Sequence, residues 1–156
     1  MQKNELPPEK IYLPDGTELR LCTGAVSRQG HAKLYCSAMG IFFSLSSRGL
    51  NQIKCYHVKN FKAKPNVHSY YPRMCGFIGN PYCHILVAIA WIGPRRFNHE
   101  CHHLNGDHTD NRASNLIWLS PEAHRRFDAA LRQGLILERQ DPDVRMEWEM
   151  THHMEI

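Results

Sequence analysis

ECHHLNGDHTDNRASNLIWLSPEAH, residues 100–124, decides how this chain is read. Asn105-Gly106 is a turn signal, and Leu116 to Leu119 is an apolar run of strand length. Ser120-Pro121-Glu122 opens a helix: serine caps, proline suits the first helical position, and an acid in the first turn faces the positive end of the dipole. That helix is expected to run to about Gln133, closed by Gly134, with Ala123, Phe127, Ala130 and Leu131 on its buried face. Adjacent His102 and His103 point to opposite sides of an extended backbone, which fits two jobs better than one shared job. Imidazole ligates divalent metals and titrates near neutrality, so a strand, loop and helix carrying His99, His102, His103, His108 and His124 can assemble a metal site and a general base.

Upstream, Asn80 and Pro81 predict the start of a helix through YCHILVAIAWI, stopped by Gly93-Pro94. Its dense apolarity marks the central buried helix. Further back, Ile11 to Leu13 and Glu18 to Cys22 flank the turn Pro14-Asp15-Gly16. Ala32 to Cys36, Ile41 to Leu45 and Gln52 to Val58 follow as short runs enriched in β-branched or aromatic residues. The expected fold is α+β: a small antiparallel β-rich part over residues 1–75, a helix-centred unit over 76–134, and a short tail over 135–156.

The chain has 156 residues, 42% of them apolar and 22% charged, which is a globular composition. No run approaches the roughly 18 apolar residues of a membrane span, and MQKNELPPEK has no apolar leader core, so the expected location is the cytoplasm of a bacterium, its own or a phage's host. Charge is polarised. Leu19 to His99 contains no acid in 81 positions but eleven lysines and arginines, whereas Asp128 onward holds seven acids against three arginines. A polyanion is the natural partner of such a basic half. The six cysteines lie at 22, 36, 55, 75, 83 and 101 with no C-x-x-C pair, and reduced thiols are expected. A zinc site assembled from Cys75, Cys83 and Cys101 stays open on spacing alone.

The stretch from His84 to His124 resembles the HNH endonucleases, particularly the phage-intron homing type. The matching residues are His84, Leu86-Val87-Ala88, Trp91, His102-His103-Leu104-Asn105-Gly106, Asn111-Arg112, Asn115-Leu116 and Trp118, and YCSAMGIFFSL at 35–45 is similar to the small sheet that precedes the catalytic unit there. The resemblance implies a ββα-metal unit and a metal-dependent DNA endonuclease. Within it, His103 takes the position of the general base. Asn115 takes that of the middle asparagine, which ties the loop together and helps orient the base. His102 and His124 fall at the two metal-ligand positions, the first of which is usually Asp.

Phosphodiester hydrolysis needs a deprotonated water, relief of charge on the phosphorane and a stabilised leaving oxygen. A neutral imidazole supplies the first, and one divalent ion, Mg²⁺ or Mn²⁺ with Zn²⁺, Ni²⁺ or Co²⁺ as alternatives, supplies the others. Asp128, one turn beyond His124, is a further candidate ligand. Arg112, Arg125 or Arg126 are placed to share phosphate charge, and Arg95, Arg96, Arg112, Arg125, Lys62 and Lys64 are the candidate contacts to double-stranded DNA. His84 is expected to hydrogen-bond within the core, His99 and His108 to be solvated or phosphate-facing, and Trp118 to be core. The tail is short and net acidic, which predicts modest site preference. The rival reading is a nucleic-acid-binding or zinc-stabilised protein whose HNH-like unit is degenerate.

Overall fold

The structure, a computed structural model, describes residues 6–56 and 71–132. Five short strands form an antiparallel meander, β1 (Lys10–Tyr12), β2 (Glu18–Leu21), β3 (Lys33–Ser37), β4 (Phe42–Ser46) and β5 (Gly49–Ile53), lying side by side in chain order. The β1–β2 hairpin closes through the Asp15 carboxylate, which accepts the Thr17 N–H at 2.9 Å. Central β3 is buried on both faces from Leu34 to Ser37. The fifth strand lies earlier than Gln52 to Val58. Ser46 pairs with Gly49, so Ser47-Arg48 is a two-residue turn that fixes pairing from Gly49 onward. Residues 57–70 lie outside the described residues.

Helix α1 (Cys83–Trp91) follows, and its N-cap is Tyr82 rather than Asn80. Asn80 takes a left-handed φ of 44° and its side-chain oxygen accepts from Arg28 at 2.9 Å, while Tyr82 bridges Arg73 in extended conformation. Asn80 is thereby held in a left-handed turn and Tyr82 in a β-bridge before the helix can start. Tyr56 also bridges Arg73, so Cys55 and Cys83 meet, and they form a disulfide. This corrects the expectation of reduced thiols for that pair, while Cys22, Cys36, Cys75 and Cys101 are free, and it dissolves the Cys75, Cys83 and Cys101 set. Cys75 is exposed, and burial pushes the Cys101 thiol up to about 12.

Strands β6 (Glu100–His103) and β7 (Leu116–Leu119) form an antiparallel hairpin, and α2 (Pro121–Arg132) packs on it. As read, Ser120 caps α2: its hydroxyl accepts the Ala123 N–H at 3.2 Å. Every residue of β7 is buried, but to two different cores. Leu116 and Trp118 join the main core with α1, Leu34, Cys36 and Phe42, whereas Ile117 and Leu119 pack against Ala123 of α2. Closing off each of the three aliphatic side chains of β7 is worth roughly 1.5–3 kcal/mol. Trp118 is core, as expected, and its indole N–H donates to the Gly93 carbonyl at 3.1 Å. The Trp91 indole donates to the Cys36 carbonyl at 3.1 Å, pinning α1 to the five-stranded sheet. Among the described residues no helix is long and apolar enough to cross a membrane.

Candidate nuclease site

Residues opposite each other in an antiparallel pair share a face, so β7 tells where each β6 histidine points. His103 pairs with Leu116 and therefore faces α1; His102 pairs with Ile117 and faces α2. The contacts follow that division. On the α2 side, the His102 and His124 rings stand 4.9 Å apart, steeply inclined at 69°. His124 sits in the first turn of α2, and its Nδ1 lies 3.5 Å from the Glu100 carboxylate. Burial first, then the neighbouring His124, pushes the His102 pKa down to about 3, so its ring is neutral at neutral pH.

On the α1 side, His103 is 2% exposed. Its ring lies 5.1 Å from that of His84, 5.7 Å from His108 and 5.9 Å from Tyr71, and Nε2 is 2.8 Å from the Asn111 side-chain oxygen. Burial lowers the His103 pKa, opposed by the hydrogen bond to Asn111 and by the charges of Asp107 and Asp110. Tyr71 stacks on His108 at 4.2 Å. A cleft of about 490 Å³ opens in front of these groups, lined among others by Tyr71, His84, Arg95, His102, His108 and His124, with His103 behind the wall rather than in it.

Asn115 closes the loop between the two strands. Its side-chain oxygen accepts the Asn105 N–H at 3.1 Å, and its amide donates to Asn105 Oδ1 and to the Asp110 carbonyl, both at 2.9 Å. These bonds tie the loop, and the ring of His103 is met by Asn111. Arg112 is committed to the same loop: it grips Asp110 through two hydrogen bonds of 2.8 Å. Arg95 lines the cleft, its Nε donating to the His99 carbonyl at 2.9 Å; Arg96 is half-buried beside it, and Arg125 is exposed on α2. Asp128 lies on α2, but its side chain is outside the described residues, as are Lys62 and Lys64 altogether.

His84 was expected to hydrogen-bond in the core. It lines the cleft instead, and its buried Nδ1 has no hydrogen-bond partner among the described residues. Burial, helped by His103 and His108, pushes its pKa down to about 3. His108 is half-buried under Tyr71 rather than solvated. Sequence reasoning missed Tyr71 and gave Asn111, one of the matching residues, no role of its own. Tyr71 is 32 residues from His103 along the chain, and Asn111 sits in an irregular loop whose course no periodicity predicts.

The residues present fit one divalent ion. Two imidazoles meeting at a single ion through bonds of about 2.1 Å have ring centroids roughly 5 Å apart, as His102 and His124 do. Among the described residues no group of three or more His, Cys, Asp or Glu is arranged to hold a metal.

Residues 81–126, from the approach to α1 into the first half of α2, match the family model described as HNH endonuclease. That match covers less than a third of the chain. Among solved structures, the chain is similar to the HNH homing endonuclease I-HmuI, studied for DNA binding and cleavage. The two share 22% identity over 67% of this chain and 54% of that one, with a TM-score of 0.47. This chain thus spans about half the length of that protein. No curated protein matches the chain.

Proposed function

We propose that the protein is a metal-dependent DNA endonuclease in which His103 is the general base and His102 and His124 hold one divalent ion. The observation that carries this reading is the split of adjacent histidines across β6. One ring is paired with His124 at the cleft, while its neighbour, neutral and buried, lies directly behind. When bound, the ion supplies charge relief on the scissile phosphate and on the leaving 3′ oxygen. His103 takes the proton from the attacking water, and burial keeps its ring in the neutral form that can accept one. Asn115 holds the strand-to-strand loop so that β6 presents both histidines in register. Arg95 offers a cation at the cleft to the substrate backbone, with Arg96 next to it in the segment between α1 and β6 and Arg125 exposed on α2. The acid-free stretch that includes the five-stranded sheet supplies the field that draws a polyanion. Mg²⁺ or Mn²⁺ is the working ion in this reading, and the imidazole pair binds Zn²⁺, Ni²⁺ or Co²⁺ more tightly.

The 2% exposure of His103 favours, as a second reading, a unit that binds nucleic acid without cutting it. Supercoiled plasmid incubated with wild type or His103→Ala, in Mg²⁺ or Mn²⁺, separates the two. Base catalysis predicts a loss of about 10²- to 10⁴-fold in nicked and linear product for the variant, with circular dichroism confirming that it is folded. A folded variant that cuts like wild type, or a wild type that binds and never cuts, removes His103 from the chemistry.

A further inference from the structure

Asn111 bears on which nitrogen of the His103 ring holds the proton. Nε2 lies 2.8 Å from Asn111 Oδ1, and a carbonyl oxygen only accepts, so Nε2 carries the hydrogen and Nδ1 keeps the lone pair. Asn111 can do this because it is itself immobilised. It is 8% exposed, and the chain on either side is pinned: the Asp110 N–H donates to the Asp107 carbonyl at 3.1 Å, and the Ala113 N–H to the Ala38 carbonyl at 2.8 Å. The second of these bonds comes from the far sheet. Ala38 and Gly40 belong to the turn joining β3 to β4, where the Gly40 N–H donates to the Ser37 carbonyl at 3.0 Å. Gly40 has φ +77°, and a Cβ there would stand 2.7 Å from the Asn111 carbonyl oxygen and 2.9 Å from its carbon. Only a residue without a side chain lets the turn sit so close.

We infer that Asn111 is the positioning residue that holds His103 as its Nε2–H tautomer, and that the β3–β4 turn, through Gly40 and Ala38, holds Asn111. The N-terminal sheet then has a role beyond contacting substrate: it sets which nitrogen of the base is free. This deepens the nuclease reading and rests on it for its catalytic meaning, whereas the tautomer itself is a property of the protein alone.

The test uses the full chain with ¹⁵N-labelled histidine and long-range ¹H–¹⁵N correlation at neutral pH, alongside single-turnover plasmid cleavage. Wild-type His103 should show protonated Nε2 and unprotonated Nδ1. Asn111→Leu should lose that signature, giving Nδ1–H or a mixture, and slow cleavage about 10- to 100-fold, the usual cost of removing a group that orients a functional imidazole. Asn111→Asp keeps an acceptor oxygen and should retain Nε2–H. Gly40→Ala should shift the ring toward a mixture and slow cleavage about tenfold or more. Gly49→Ala is the control: its φ of +99° imposes similar backbone strain at the first residue of β5 in the same sheet, yet nothing lies within 4 Å of its Cβ, so ring and rate should stay as in wild type.

A wild-type His103 protonated at Nδ1, or an Asn111→Leu ring that is unchanged, overturns the inference. Equal effects from Gly49→Ala and Gly40→Ala overturn the part played by the sheet. Expected tautomers throughout, with no cleavage even by wild type, would sink the nuclease reading while the hold of Asn111 on the ring stands.

Discussion

Asn115→Asp should destabilise the protein measurably and remove nuclease activity, although the two side chains have nearly the same shape. The magnitude follows from its three hydrogen bonds. Asn115 is 6% exposed; its amide nitrogen donates to Asn105 Oδ1 and to the Asp110 carbonyl, and its oxygen accepts the Asn105 N–H. A net hydrogen bond is worth about 0.5–1.5 kcal/mol. The substitution converts both donations into oxygen facing oxygen while the third bond survives. Asn105 is exposed, so water repairs part of its loss; the Asp110 carbonyl sits in the closed loop and has less access to it. The expected cost is about 2–3 kcal/mol, or about 4–12 °C in Tm for a chain of this size. Urea unfolding followed by circular dichroism measures it. Activity should fall further than stability, because the loop fixes the ends of β6 and β7 and with them the offset between His102 and His103. A change below about 0.5 kcal/mol, the range of ordinary surface substitutions, would refute the claim that Asn115 closes this loop.

Three further outcomes are expected. Isothermal calorimetry with Mn²⁺ and Zn²⁺ should show one site in wild type that is lost in the His102→Ala/His124→Ala double variant; unchanged stoichiometry would place the ion elsewhere. Acid should weaken the loop through Asp110, whose carboxyl the Arg112 guanidinium holds below the usual carboxylate range. A depressed folded-state pKa contributes stability above the unfolded value near 4 and loses it as pH falls through the folded value. The urea midpoint should therefore drop below about pH 4, and less steeply in Asp110→Asn. Affinity for mixed-sequence duplex DNA should fall by about 10³-fold or more between 50 and 200 mM salt, given the eleven cations of the acid-free stretch; a flat salt dependence would deny that stretch a phosphate-tracking role.

Where local chemistry decides the outcome, the sequence was legible. Ser120 caps α2, Gly93 follows the end of α1, and the alternation of β6 sends His102 and His103 to opposite sides. Legibility ended where distant segments intervene. Asn80-Pro81 has good helix-starting chemistry, yet Arg28 claims the Asn80 amide and Arg73 holds Tyr82 extended, so α1 begins at Cys83. The same bridge through Arg73 brings Cys55 to Cys83 across 28 residues, a pairing that no spacing rule encodes. His84 reads as a core histidine because it opens an apolar helix. Its place in the cleft depends on Tyr71 and His108, which reach it from other parts of the chain.

The two-faced strand also sets which imidazole each β6 histidine meets most closely. Had the β6 register slipped by one residue, His103 would meet α2 and His102 the main core, exchanging the surroundings of the two rings. Register is fixed at both ends: the Leu104 N–H donates to the Asn115 carbonyl at 2.8 Å beyond His103, and Glu100 pairs with Leu119 at the other end. Burial of Leu116 and Trp118 on one face, and of Ile117 and Leu119 on the other, makes any slip of β7 expensive in apolar exposure. The same side chains that form the core therefore keep His102 and His103 apart, one residue from each other in sequence and on opposite faces of one strand.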